Sequence, residues 1–322
     1  MQEIIVSANE AGQRFDKLLA KYLNEAPKSF LYKMLRKKNI VLNGKKATGN
    51  EMLAVGDSIK LFLADETIDK FSKVQVQHTK TKLDILYEDA HVLFINKPVG
   101  MLSQKAAAND ESIVEHIISY MLDSKQLKET DLRKFKPSIC NRLDRNTSGL
   151  LVAGKSLKGL QKMGELFKER TLKKYYRCLV YGEVKDKKHI KGFLEKDERT
   201  NKVTISHKPF GEALPIETEY NPIWSNGKVT LLEVHLITGR THQIRAHLAS
   251  CNHPILGDYK YGNKKVNDQF KEKYQLESQL LHAYRLEFPE MEEPFDALSK
   301  RQFIAPIPKL FDRILKQEKQ EG

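Results

Sequence analysis

Residues Asn141 to Leu151 read NRLDRNTSGLL, a charged loop that runs without a break into the apolar Leu150, Leu151 and Val152. Such a stretch is a loop ending at a strand, and the chain on either side must supply the elements that hold it. Asp144 lies between Arg142 and Arg145, and two guanidiniums close to a carboxylate favour its charged form. A carboxylate kept charged suits a nucleophile or an electrostatic stabiliser, not a proton donor. By itself the pattern fits a structural ion pair or a turn acid better than a catalytic group.

A chain of 322 residues with 40% hydrophobic content is long enough for two domains or one large one with a packed core. No N-terminal apolar segment with a cleavage site occurs, and no apolar run reaches the roughly 18 to 20 residues that span a bilayer. The three cysteines, Cys140, Cys178 and Cys251, are odd in number and show no CxxC spacing. That suits a reducing compartment, and a cytoplasmic protein without membrane contact is expected. The net charge of +13 comes from cations spread among acids in the same segments. A folded polyanion-binding surface, with nucleic acid as first candidate, explains this better than a merely solvated cationic surface.

The segment from Met1 to Leu63 reads as a small separate module. Phe15, Leu18, Leu19 and Tyr22 fall at helical spacing, among Arg14, Lys17 and Lys21. A second short helix is expected from Ser29 as N-cap through Phe30, Leu31, Met34 and Leu35. Ile40 to Leu42 then precede Asn43-Gly44, a strong hairpin-turn signal, and Ile59, Leu61 and Leu63 alternate as in a strand. Eleven cations against six acids give this module +5. They crowd around the second helix and the hairpin at Lys28, Lys33, Arg36, Lys37, Lys38, Lys45 and Lys46.

Residues 64–82 are polar, mixed in charge and without sustained period, and are read as a linker. A second domain, 83–322, opens with a strand pair over 83–87 and 92–95. A helix from Ser112 presents Ile113, Val114, Ile117, Ile118 and Met121 on one face; another is capped by Ser156 and carries Leu157, Leu160, Met163 and Phe167. The Asp144 loop lies between these helices. In the β-prone run RTLKKYYRCLVYG, Arg170 to Gly182, one strand face carries Tyr176, Cys178 and Val180. Tyrosines interleaved with Lys173, Lys174 and Arg177 could hold an unstacked base beside its phosphates, or could simply be cross-strand packing. A strand over 229–237 leads to RTHQIRAHL, Arg240 to Leu248, with Arg245 on a short helix. His242 and His247 are five residues apart, off any shared helical face, so a metal site is not expected and a buried or capping role is. Leu280 to Phe288 and a helix from Pro308 close the chain.

Three motifs in order, NRLDRNTSG, KKYYRCLVYG, and TGRTHQIRAHL followed by HPILGD at His253 to Asp258, resemble the RluA-type pseudouridine synthases. The pattern RFDKLLAKYL then LYKMLRKKNIVLNGKKA resembles the small RNA-binding module named after a ribosomal small-subunit protein, a common companion in that family. The resemblance implies an α+β fold: a mixed, mostly antiparallel bent sheet with a central cleft and flanking helices, preceded by a small α/β RNA-binding domain. It implies isomerisation of uridine to pseudouridine in structured RNA with no cofactor and no metal.

Carried over residue by residue, Asp144 matches the family's essential aspartate. Tyr176, placed by its distance from Gly182, matches the tyrosine that stacks on the target base, and Arg245 the basic residue paired with the aspartate. Arg14, Lys33, Arg36, Lys37, Lys38 and Lys45 in the module, and Arg142, Lys173, Lys174, Arg240 and His242 in the large domain, are the candidate RNA contacts. Where the family usually has His before Arg-Leu-Asp, this chain has Asn141, which bears on base-flipping contacts or RNA choice more than on chemistry. Base flipping would expose the uracil, and Asp144 could then attack the sugar carbon or assist proton removal at the sugar. Both routes stay open. A non-catalytic RNA-binding or ribosome-assembly protein is the alternative that Asn141 suggests. A carboxylate hydrolase ranks last, because such enzymes use two carboxylates and the motif core holds one. Large-subunit ribosomal RNA is the expected target, transfer RNA the alternative, and a monomer the expected state.

Overall fold

Separate apolar cores organise the chain in the computed structural model, which describes residues 1–73, 76–80, 82–107 and 109–321. The first core belongs to β1 (Gln2–Ile5), α1 (Phe15–Tyr22), α2 (Lys28–Arg36), β2 (Ile40–Leu42), β3 (Lys45–Lys46) and β4 (Ser58–Leu61). The strands form a sheet in the order β1-β4-β2-β3. Helix α1 buries Phe15, Leu18, Leu19 and Tyr22, the one-stripe spacing seen in the sequence. At the tight β2–β3 hairpin, Asn43 and Gly44 both take positive φ (51° and 73°), as a type I′ turn requires. Helix α2 starts two residues earlier than expected. Pro27 at φ −58° is its cap, and Ser29 falls inside the first turn without capping it.

The segment read as a linker holds α3 (Asp65–Phe71). Two acids in its first turn suit the helix dipole, and Ile68 is fully buried in the first core while Phe71 packs on Phe30 at 4.8 Å. One buried side chain in a short polar helix leaves no readable period, so the sequence does not announce it. Farther along, Val76 packs against the second core and the Thr79 amide donates to Ser119 Oγ at 2.9 Å. Positions 74, 75 and 81 of that segment lie outside the described residues.

The larger part runs β5 (Ile85–Glu88), β6 (Val92–Lys97), α4 (Ile113–Asp123), β7 (Ser138–Ile139), β8 (Ser148–Gly154), α5 (Leu157–Glu169) and β9 (Lys173–Tyr181). It continues through β10 (Lys188–Asp197), β11 (Lys202–Ser206), β12 (Leu214–Ser225), β13 (Val229–Leu236), α6 (Gln243–Ser250), α7 (Lys264–Tyr274), β14 (Leu281–Glu287), β15 (Gln302–Ile304) and α8 (Lys309–Glu321). The main path of the sheet is β11-β10-β12-β13-β9-β14-β8-β6-β5, with β15 beside β14 and β7 beside β8. This is the α+β, antiparallel-rich sheet the motifs implied. Every residue of β8 is buried, because it is packed on both faces. Leu151 and Ala153 join the α4 core, and Leu150 and Val152 join a core with Met163 and Leu166 of α5. On β9, Tyr176, Cys178 and Val180 share one core as alternation predicts, while Leu179 belongs to another.

Pairing in the sheet is antiparallel except at one seam, where β14 meets β8 in parallel at His282–Ser148 and Ala283–Gly149. There the backbones touch. A Cβ on Gly149, at φ +109°, would lie 2.1 Å from the Ala283 carbonyl oxygen. Buried His282 locks the seam. Its Nε2–H donates to the Ala305 carbonyl (3.1 Å), so Nδ1 accepts from the Ser148 hydroxyl (2.8 Å). Burial lowers its pKa to about 4, which keeps it neutral.

Candidate active site

Over this seam lies a cleft of about 1190 Å³, lined on one side by residues 102–106 and the Asp144 loop and on the other by Lys174, Tyr176 and residues 239–245. The Asp144 loop is held from below. Ser103 Oγ donates to the Leu143 carbonyl (2.7 Å) and accepts the Leu143 amide (3.0 Å), and the Gly100 amide donates to the Arg145 carbonyl (2.9 Å). Beneath it the fully buried Lys97 ammonium donates to the carbonyls of Pro98, Met101 and Arg145 (3.0, 2.8 and 3.1 Å). Burial pushes the Lys97 pKa down to about 8, against the opposing charge of Asp144. Three acceptors for three N–H bonds also favour the ammonium.

Asn141 is built into the same foundation. Its Oδ1 accepts the Val152 amide (2.8 Å) and its Nδ2 donates to the Leu150 carbonyl (3.3 Å), so the side chain pairs with β8 as a neighbouring strand would. The substitution therefore falls on a structural contact between the loop and its strand.

Arg245 comes from α6, a short helix buried nearly all round. Gln243 fastens that helix to β12: its Nε2 donates to the Glu217 carbonyl and Thr218 Oγ1 (both 3.0 Å), while its Oε1 accepts from Thr238 Oγ1 (2.8 Å) and the Arg240 amide (3.0 Å). His247, next to Thr218 Oγ1 at 3.0 Å, is a core histidine whose pKa burial lowers to about 4. So aimed, Arg245 spans two acids. Nη1 reaches Asp144 Oδ2 at 2.9 Å, and Nε and Nη2 grip Asp258 in a fork (2.7 and 3.0 Å). Asp258, itself buried, also accepts the Lys260 and Tyr261 amides. Burial opposes the Arg245 charge, but the two carboxylates outweigh it and push its pKa up.

The charge partner of Asp144 is thus Arg245 from a distant helix, with His242 Nε2 3.9 Å from the same oxygen; the adjacent Arg142 and Arg145 do not pair with it. Arg142 is exposed, and Arg145 Nε is engaged by the Gly100 carbonyl at 3.0 Å. Arginines adjacent to an acid in a tight loop project away from it, so neighbourhood in sequence was a poor guide. Tyr176 lines the cleft with 8% exposure, and burial followed by the Asp144 charge raises its pKa.

Among the described residues the lining carries ten cations and a single carboxylate, Asp144. Arg142, Lys174 and Arg240 were expected there; Lys105, Arg145, Lys168, Arg170, Lys196 and Lys260 were not. Lys173 is not part of the lining. Strand alternation turns it to the face opposite Lys174 and Tyr176. His242, expected as an RNA contact, is a mostly buried neighbour of Asp144. In the first module Arg14, Lys33, Arg36, Lys37, Lys38 and Lys45 are all exposed, and Arg14 is also held in a fork by Asp16 (3.1 and 2.8 Å). No group of three or more His, Cys, Asp or Glu among the described residues could hold a metal ion, and no helix among them is long and apolar enough to cross a membrane.

A family model described as RNA pseudouridylate synthase matches residues 91–250. The ribosomal large subunit pseudouridine synthase C of Vibrio vulnificus (strain CMCP6) is 31% identical over 305 residues, covering 92% of this chain and 91% of that protein. Its counterpart of the same name in Escherichia coli (strain K12) is 30% identical over 295 residues, 88% of each chain. Among solved structures, human RNA pseudouridylate synthase domain containing 4 superposes with a TM-score of 0.58 at 23% identity, over 73% of this chain and 92% of that one, and so shares the fold. With relatives this similar over nearly their whole length, the chain belongs to the RNA pseudouridylate synthase family and is an RNA pseudouridine synthase of the RluA type.

Proposed function

We propose that this enzyme isomerises uridines of large-subunit ribosomal RNA, with Asp144 as the reacting group, Tyr176 as the platform for the flipped uracil and Arg245 as the partner that aims the carboxylate. The observation that carries this reading is a single carboxylate, among the described residues, in a cleft whose other charged lining residues are Lys and Arg. Phosphates on either side of a flipped nucleotide would meet those cations, and the sugar would meet Asp144. The ribosomal target rests on the names of the relatives.

In the reaction the N1–C1′ bond breaks, the uracil turns, and C5 bonds to C1′. The C5 proton leaves and N1 ends protonated, so no atom is gained or lost. A ring held by Tyr176 stays in place while detached. Asp144 either attacks C1′ or takes a proton from the sugar. In both cases Arg245, fixed by Asp258, holds its carboxylate in one orientation.

Residues 1–63 act in this reading as a separate RNA-binding module of the kind named after a ribosomal small-subunit protein, and 83–322 as the catalytic domain. Support comes from the separate first core and from the exposed cations around α2 and the hairpin. Such contacts to phosphates orient an RNA without reading its sequence. A cytoplasmic monomer completes the reading.

The test is pseudouridine-specific mapping of ribosomal RNA from cells lacking the protein, complemented with the intact or the Asp144→Ala enzyme. A site that vanishes and returns only with the intact enzyme identifies target and reaction together. In vitro, Asp144→Asn is expected to lower turnover on the order of 10³-fold or more while RNA binding changes little. A mutant as active as the parent would refute the role given to Asp144.

A further inference from the structure

Both groups that approach Asp144 do so at one atom. Arg245 Nη1 lies 2.9 Å and His242 Nε2 3.9 Å from Oδ2, and no hydrogen bond reaches Oδ1 among the described residues. The hydrogen bonds behind His242 favour one position for its proton. Tyr261 OH lies 3.0 Å from the Val203 amide and 2.9 Å from His242 Nδ1. An amide can only donate, so the Tyr261 oxygen accepts from Val203, and the arrangement that also gives the Tyr261 hydrogen a partner directs it at Nδ1. A ring that accepts at Nδ1 carries its proton at Nε2, on the side of Asp144.

The surroundings agree with a neutral, oriented ring. Burial lowers the His242 pKa; Asp144 opposes this, and Arg245 and Lys260 add to it, with Asp258 the other acid acting on the site. His242 also caps α6 with φ +53°, a backbone conformation that a non-glycine residue adopts only where its surroundings impose it. The ring meets that of Tyr261 edge-on at 5.6 Å, and the Tyr261 ring lies 5.3 Å from the Arg245 guanidinium.

We propose that Tyr261 sets His242 in its Nε2–H tautomer as a second positioning donor to Asp144 Oδ2, so that the two oxygens divide the work: Oδ2 is held and Oδ1 reacts. The 3.9 Å separation is about 1 Å beyond a hydrogen bond, the kind of slack that closure around a substrate takes up. This inference rests on the role proposed for Asp144. His242 and Tyr261 are positioning residues that act through it.

The experiment measures tritium release from a large-subunit ribosomal RNA transcript labelled at uracil C5, for the parent enzyme, His242→Ala, His242→Gln, Tyr261→Phe and the Gln/Phe double variant, with Asp144→Asn as reference. His242→Ala is expected to lower kcat about 30-fold with KM within about twofold. His242→Gln, whose amide can present N–H near the Nε2 position, should recover most of that loss. The decisive result is a coupling. Tyr261→Phe should lower kcat about fivefold when residue 242 is His, and by less than about twofold when it is Gln, which has no tautomer to set. Loss of the Val203 acceptor is common to both backgrounds and cancels. A His242→Ala enzyme altered only in KM, or a Tyr261→Phe effect equal in both backgrounds, overturns the proposal. If Asp144→Asn is inactive and His242→Ala is not impaired, this inference fails alone. An active Asp144→Asn enzyme removes its foundation as well.

Discussion

Lys174 stands in the cleft wall beside Tyr176 with no acidic partner among the described residues, and burial followed by the charge of Arg170 lowers its pKa to about 8. A bound phosphate would favour the ammonium, so binding must take up a proton once the free side chain has lost it. RNA affinity is therefore expected to be level below pH 8 and to fall as pH rises beyond it, by up to about tenfold per unit. Lys174→Arg, which stays charged, should flatten that decline in binding titrations at fixed salt. A parent enzyme with no decline between pH 8 and 9.5 would show that no phosphate reaches Lys174. At this scale the sequence was legible through its motifs: the acid in the charged loop, the tyrosine in the cationic strand and the arginine on its short helix, matched by the family resemblance, do meet in one cleft. It was mute where a role depends on what folding brings close. Asp258 sits in the HPILGD motif, yet nothing in that string says that its carboxylate grips Arg245. Lys168 and Arg170 look like ordinary residues at a helix end.

Among the elements, β8 and α6 position the site, and they do so by different means. Strand β8 is buried on both faces and approaches β14 closely at Gly149. Gly149→Ala would drive a methyl group into the Ala283 carbonyl and ask an L residue to hold φ +109°. The expected cost is about 3 kcal/mol or more, read as a melting temperature lower by roughly 10 °C and a loss of activity larger than the loss of folded protein. A variant as stable as the parent would mean that the seam is not the close contact described. Long apolar runs made β6, β8, β13 and β14 readable in advance. Strands β10 to β12 were not, because Lys188–Asp197 and Leu214–Ser225 alternate buried and exposed positions amid charges and prolines that blur the period. Helix α6 was placed correctly, and a buried or capping role was expected for its histidines. What spacing alone does not reveal is that His242 enters the helix from a left-handed conformation.

For the molecule as a whole, the excess of +13 divides between a small basic module and a cationic cleft. If both meet one RNA, neutralising Lys33, Lys37 and Lys45 together by Gln should raise KM and reduce the slope of log affinity against log salt by about one unit for each phosphate no longer neutralised. An unchanged slope would exclude those lysines from the interface. The seam between β14 and β8 carries a further implication, one of time. Asp144 and Arg245 are 101 residues apart in the chain and lie on opposite sides of that seam. At a synthesis rate of about 5–20 residues per second, Asp144 leaves the ribosome some 5–20 s before the arginine that will aim it. Until the later strands have closed against β8, a nascent chain carries the Asp144 carboxylate without the arginine that holds it in the folded protein. If Arg245 aims Asp144 as proposed, a chain that stalls short of residue 245 displays the loop but performs no chemistry.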